Sequence, residues 1–94
     1  MDIYYSMKVI VPENVMFRDL DGEAVLLNLD NENYYGLDKV GTRMWTLLSS
    51  TDSIQEAYEI LVTEYDIEPE ILKEDLSKLV EDLQSQGLIN LSDG

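Results

Sequence analysis

The chain contains no cysteine and no histidine among its 94 residues. Without cysteine it forms no disulfide and offers no thiolate for metal binding or nucleophilic attack, which suits a reducing compartment. Without histidine it lacks the side chain that most often serves as a general base or as a transition-metal ligand. We therefore expect a protein that is not an enzyme and that needs no cofactor or metal.

Basic residues are also scarce. Six Lys or Arg residues stand against twenty Asp or Glu residues, so the net charge is −14 and the isoelectric point is near 4.1. Such a charge repels phosphate backbones and anionic membrane surfaces, which argues against nucleic acid and membranes as partners and favours a basic partner. No apolar run approaches the ~20 residues of a membrane span, and the N-terminus lacks a basic signal-peptide region. We expect a cytoplasmic protein.

The first third of the chain has the pattern of β-strands. Residues 3–11 are rich in β-branched and aromatic side chains, so residues 1–12 are predicted to form an N-terminal arm or extra strand before a domain of residues 13–94. Asp21-Gly22 is a strong turn signal between two runs, and it predicts a hairpin whose second strand covers residues 23–29. Both faces of that second strand are largely apolar, so we expect both to be covered.

The rest of the chain predicts a third strand and three helices. Residues 34–37 follow a polar turn, and Asp38 stands where a helix N-cap belongs. Ser53 and Glu56 have the spacing of a capping box for a second helix. Pro69 suits the first turn of a third helix, which Gly87 ends. The predicted fold is α+β, a winged helix-turn-helix with a three-stranded antiparallel sheet followed by three helices.

Ser53 also raises the possibility of a carrier protein. An acidic chain of this size with Asp-Ser-Ile at a helix start is similar to an acyl or peptidyl carrier protein, in which the serine bears phosphopantetheine. That fold requires a long helix before the serine, whereas residues 15–37 alternate as strands do. Helix capping is a sufficient reason for Ser53.

Two other site types are disfavoured by charge and spacing. A DNA-recognition helix needs several basic residues, but the third helix offers only Lys73 and Lys78 among many carboxylates. Oxygen ligands crowd together at Asp19 and Asp21 and again in residues 30–33, yet these segments lack the glycine and distant glutamate of a calcium loop. Turn formation explains the acidic segments.

Peptide capture at the edge of the third strand is the remaining candidate. The third helix has a buried leucine stripe, and its flank carries Ile71, Asp75 and Asp82. This flank fits the wall of a peptide-binding groove, with the unpaired backbone groups of residues 33–37 opposite. Taken alone, the flank favours a helix that simply packs on the sheet and leaves an acidic flank in water. Proline at Tyr35 tests strand addition, provided that its N–H faces the free edge.

Several spaced motifs resemble the PqqD-like family, the precursor-peptide recognition elements of ribosomally made and modified peptides. The resemblance covers about residues 13–91. It is carried by the runs Glu-Ala-Val-Leu-Leu-Asn from residue 23, Tyr-Tyr-Gly-Leu-Asp from residue 34, Gly41, Trp-Thr-Leu-Leu from residue 45, Asp-Leu from residue 75 and Gly-Leu-Ile from residue 87.

The resemblance implies a winged helix-turn-helix that binds a leader peptide as an additional antiparallel strand. It implies that the third strand supplies main-chain hydrogen bonds, that leucines of the third helix receive apolar leader side chains, and that its carboxylates meet polar or basic ones. With the residues of the third helix inferred from its flank and leucine stripe, the predicted leader-binding residues are Asn33, Tyr34, Tyr35, Gly36, Leu37, Ile71, Leu72, Asp75, Leu76, Leu79 and Asp82.

The resemblance also implies partners. A free-standing member of this size is similar to the recognition proteins of lasso-peptide pathways, which deliver a precursor to a leader peptidase and a cyclase. It is similar as well to the chaperone of pyrroloquinoline quinone synthesis, which presents its precursor to a radical S-adenosylmethionine enzyme. The lasso assignment is preferred.

Overall fold

The computed structural model describes residues 3–93, which form five strands and three helices. This α+β fold confirms the predicted class. In chain order the elements are β1 (Lys8–Ile10), β2 (Val15–Leu20), β3 (Glu23–Asn28), β4 (Tyr34–Gly36), α1 (Lys39–Ser50), α2 (Ile54–Glu64), α3 (Pro69–Ser85) and β5 (Asn90–Ser92).

Strands β2, β3 and β4 form one antiparallel sheet in that order. The predicted hairpin is confirmed, because Asp21 and Gly22 both have positive φ, 62° and 87°, at the turn between β2 and β3. Asp19 stabilises this turn by accepting a hydrogen bond from the Gly22 N–H at 2.8 Å. Since β3 lies in the centre, β4 has one paired edge, and within residues 3–93 its other edge is free.

A second, two-stranded sheet pairs β1 with β5 in antiparallel fashion. Its residue Val9 is 4% exposed and belongs to the main core. The segment before β1 also bonds to the start of α2, where the N–H of Gln55 donates to the Tyr5 carbonyl at 2.8 Å. Residues 1 and 2 of the predicted N-terminal arm and residue 94 of the predicted domain lie outside the described residues.

The predicted helix boundaries rest on caps that the structure contains. The Asp38 carboxylate accepts from the Gly41 N–H at 2.7 Å, and the Ser53 hydroxyl accepts from the Glu56 N–H at 3.1 Å. Pro69 opens α3, and Gly87 beyond its end has a φ of 73°, in the left-handed region where glycine is unstrained. Ser53 is thus a helix cap, which is the structural role expected of it.

The helices pack on one face of the sheet. The β3 side chains on that face, Ala24, Leu26 and Asn28, are at most 4% exposed. On the opposite face Val25 and Leu27 are only partly buried and Leu29 is 51% exposed, so the expectation that both faces of the second strand are covered is wrong for this face. The reason is that an antiparallel sheet of three short strands is stabilised by a core on one side alone. Within residues 3–93 no helix combines the length and apolar character that crossing a bilayer requires.

Candidate functional site

The free edge of β4 presents an alternating set of backbone groups. The Asn28 N–H donates to the Asn33 carbonyl and the Leu37 N–H donates to the Ala24 carbonyl, both at 2.8 Å. Since hydrogen bonding alternates along an antiparallel pair, residues 33, 35 and 37 direct their backbone groups towards β3. Residues 34 and 36 therefore direct theirs to the free edge. The Tyr35 N–H faces β3, so proline at residue 35 would test the pairing of β4 with β3 and not peptide binding at the free edge.

Helix α3 forms the opposite wall. Ile71, Asp75, Leu79 and Asp82 follow one another at spacings of four, four and three residues, which places them along one side of the helix. Ile71 is 47% exposed and Asp75 is exposed, whereas Leu79 is only 9% exposed. This side of α3 thus offers an apolar surface with two carboxylates.

A groove of about 390 Å³ lies between the two walls. It brings together five of the residues predicted from the sequence and five others. The predicted ones are Tyr35, Gly36, Leu37, Asp75 and Leu79. The others are Asp38, Val40, Gly41, Met44 and Ile67.

The remaining predicted site residues lie around the groove or beneath it. Asn33 and Tyr34 are exposed at the strand edge, and Ile71 and Asp82 lie on the α3 wall. Leu72 and Leu76 have no exposed surface and belong to the core. They hold α3 against the rest of the fold, and in this structure they offer a surface ligand no direct contact.

Five lining residues are absent from the predicted set. Asp38 and Gly41 stand at the N-cap and in the first turn of α1, Val40 and Met44 lie on α1, and Ile67 lies in the connection between α2 and α3. Met44 is 3% exposed and Ile67 is 36% exposed. Helical periodicity does not separate a residue at the floor of a groove from one inside the core, so only Ile67, an apolar residue in a polar connection, carried a usable signal.

The walls are connected at one end of the groove. The Tyr35 hydroxyl donates to an Asp82 carboxylate oxygen at 3.3 Å. Partial burial, followed by the Asp82 charge, raises the pKa of Tyr35 above its ordinary value, so the hydroxyl keeps its proton at neutral pH. Nearby, the buried Asn28 side chain donates to the Gly87 carbonyl at 2.9 Å, which joins the end of β3 to the segment after α3.

The groove combines three kinds of contact. Its strand wall supplies unpaired backbone groups, its floor is apolar, and its helix wall carries the carboxylates of Asp75 and Asp82. Backbone groups in extended geometry bind another extended chain, and carboxylates attract basic side chains. The site is suited to binding a peptide.

Comparison with known proteins agrees with this geometry. The family model described as coenzyme PQQ synthesis protein D (PqqD) matches residues 23–89, which include the whole groove. The chain belongs to the PqqD family. A search of curated proteins finds no match.

Two solved structures resemble this PqqD-family chain. TbiB1 in complex with the TbiA(beta) leader peptide has a TM-score of 0.80 and 30% identity, with 86% of this chain and 94% of that chain covered. Lasso peptide synthetase B1 complexed with the leader peptide has a TM-score of 0.79 and 20% identity, with 88% and 98% covered. The second comparison supports the fold alone.

Proposed function

We propose that this chain binds the leader segment of a ribosomally made precursor peptide by strand addition at the free edge of β4. The observation that carries the proposal is the position of that edge beside an apolar groove with an acidic wall. The relative at 30% identity is a complex with a leader peptide, which supports the same role here.

The register gives each wall a role in this proposal. Backbone groups of Tyr34 and Gly36 pair with the leader, while Asn33 and Leu37 maintain the pairing of β4 with β3. Leu79 and Ile71 contact apolar leader side chains, and Asp75 and Asp82 meet basic or polar ones. Leu72 and Leu76 support α3 from the core.

In this proposal the chain does no chemistry itself. It presents the precursor to separate enzymes, a leader peptidase and a cyclase of a lasso-peptide pathway, the class of pathway in which the similarly folded lasso peptide synthetase B1 takes part. The family description favours, as a second candidate, presentation to a radical S-adenosylmethionine enzyme of quinone cofactor synthesis. Since such precursors are made by ribosomes, we place this activity in the cytoplasm.

The Ile71→Ala variant should bind the leader about fivefold to tenfold more weakly, because it removes part of an exposed apolar contact. Isothermal titration calorimetry with the leader segment of the proposed precursor measures the change. Ile10→Ala is the matched control, since Ile10 is 40% exposed but lies on β1. Equal affinities of both variants and the wild type would place the leader away from this wall.

Converting both Asp75 and Asp82 to asparagine should weaken a lysine-bearing leader by about twofold to thirtyfold, at ~0.2–1 kcal/mol for each exposed charge pair. The amide oxygen of asparagine still accepts the Tyr35 hydrogen bond, so the fold should be retained. Titrations at several salt concentrations should show a flatter salt dependence for the variant. An unchanged salt dependence would mean that these carboxylates do not meet leader charges.

A further inference from the structure

The outer face of the sheet, the one that the helices leave open, carries an apolar surface of its own. Cross-strand register aligns Met16, Leu27 and Tyr34 in one row. Leu29 continues the β3 ladder, since its N–H donates to the Asn14 carbonyl at 2.8 Å, and it therefore shares the face of Leu27. We define the outer patch by its six apolar members, Met16, Leu20, Val25, Leu27, Leu29 and Tyr34.

The outer patch is accessible to a partner. Its members Leu20 and Leu29 are 55% and 51% exposed, and Tyr34 is 75% exposed. Beside Val25 the neighbouring β4 residue is Gly36, and a Cβ built there has no atom within 4 Å, so this part of the face is open. Single exposed apolar residues are ordinary, but a contiguous group on a flat sheet typically marks an interaction surface.

Charges border the outer patch at both ends. Asp21 and Glu23 are exposed at the β2–β3 turn, and Asp30 and Glu32 are exposed at the β3–β4 turn. Arg18 stands within the face, in the row of Val25 and Gly36. The complementary surface has an apolar centre, an acidic group opposite Arg18, and Lys or Arg on both sides.

These charges select among possible occupants. A second copy would bring two acidic borders together and combine two net charges of −14, which opposes self-association. An anionic membrane meets the same repulsion. A different protein with a basic border is attracted by these carboxylates and not repelled. Its charges would speed association with this face.

The outer patch is also continuous with the proposed leader site. A strand added at the free edge of β4 extends the sheet, and every second side chain of that strand points to the outer face next to Tyr34. A protein seated on the outer patch would therefore touch both this chain and the bound peptide.

We propose that the outer patch is the docking site for the enzyme that processes the bound peptide, and that this enzyme presents an apolar surface bordered by Lys and Arg. The inference rests on the proposed leader binding. It adds that the enzyme binds the loaded protein more tightly than the empty one, because only the loaded protein offers the extended face.

The test uses the purified leader peptidase of the proposed pathway and measures its affinity for the protein with and without leader by biolayer interferometry. The Met16→Ser/Leu29→Ser double variant should weaken peptidase binding at least tenfold and leave leader affinity unchanged. Ile10→Ser is the matched control, since it replaces a similarly exposed residue on β1 and should bind the peptidase as the wild type does.

A charge pair tests the stated chemistry of the partner. Leu20→Lys and Leu20→Glu both remove an apolar contact, but Leu20→Lys should weaken peptidase binding several times more, because it places a positive charge opposite a basic border. An equal or reversed order would overturn that chemistry.

Three outcomes separate the inference from the proposed function. If the leader binds and the double variant holds the peptidase as tightly as the wild type, the docking site is wrong and leader binding stands. If the leader does not bind the wild-type protein, the proposed function itself fails. If sedimentation shows a dimer that the double variant dissociates, a second copy occupies the patch and the inference is overturned.

Discussion

Replacing Tyr34 with proline should weaken leader binding at least tenfold while the fold stays intact. The Tyr34 N–H faces the free edge of β4, so proline removes a donor that the added strand needs without breaking a bond to β3. One net hydrogen bond contributes about 0.5–1.5 kcal/mol, and the proline ring also hinders the approach of the neighbouring strand. Calorimetry with the leader measures the affinity, and circular dichroism reports the fold.

Two companion variants make this result specific. Tyr34→Ala keeps the N–H and loses only an exposed ring, so it should bind the leader far better than Tyr34→Pro. Tyr35→Pro removes a donor that faces β3, so it should destabilise the sheet itself. Wild-type affinity in folded Tyr34→Pro would exclude strand addition at this edge.

Leu76→Ala should lower the free energy of unfolding by about 2–5 kcal/mol, because Leu76 has no exposed surface and its truncation leaves a cavity in the core. For a domain of this size that is a large share of the total stability. Urea denaturation followed by fluorescence measures the change, since Trp45 is the single tryptophan and is 4% exposed.

The same variant shows whether Leu76 only supports α3 from the core or also contacts the leader directly. At a temperature where it remains folded, Leu76→Ala should bind the leader within about threefold of the wild type. Lys78→Ala, an exposed change on the same helix, is the control and should leave stability within about 0.5 kcal/mol. Unchanged stability with a large loss of affinity would show that Leu76 contacts the peptide directly.

Local chemistry explains why most of the fold could be predicted. Asp38 and Ser53 cap helices through hydrogen bonds to residues three positions away, and Gly87 ends a helix through its own positive φ. These roles at helix ends can therefore be predicted from the sequence. The Asp21-Gly22 turn is likewise a local choice, and it sets the hairpin register. Helices and strands therefore follow from short-range patterns.

The site depends on longer-range packing and was less accessible from sequence. Whether Tyr34 or Tyr35 turns its N–H to the free edge depends on the pairing of β4 with β3, which alternation of side chains does not reveal. Ile67 joins the groove only because the connection after α2 lies beside α1 and β4. The apolar outer face of β3 resembles a covered face in sequence, although no helix covers it in residues 3–93.

The bonds from Tyr35 to Asp82 and from Asn28 to Gly87 have a kinetic consequence. The first joins β4 to α3 and the second joins β3 to the segment after α3, so the walls of the groove are held in place before any peptide arrives and binding needs no opening step. We expect association to be a single bimolecular phase whose rate rises linearly with peptide concentration and falls with added salt. Differences between peptides should then appear mainly in how long each one stays bound.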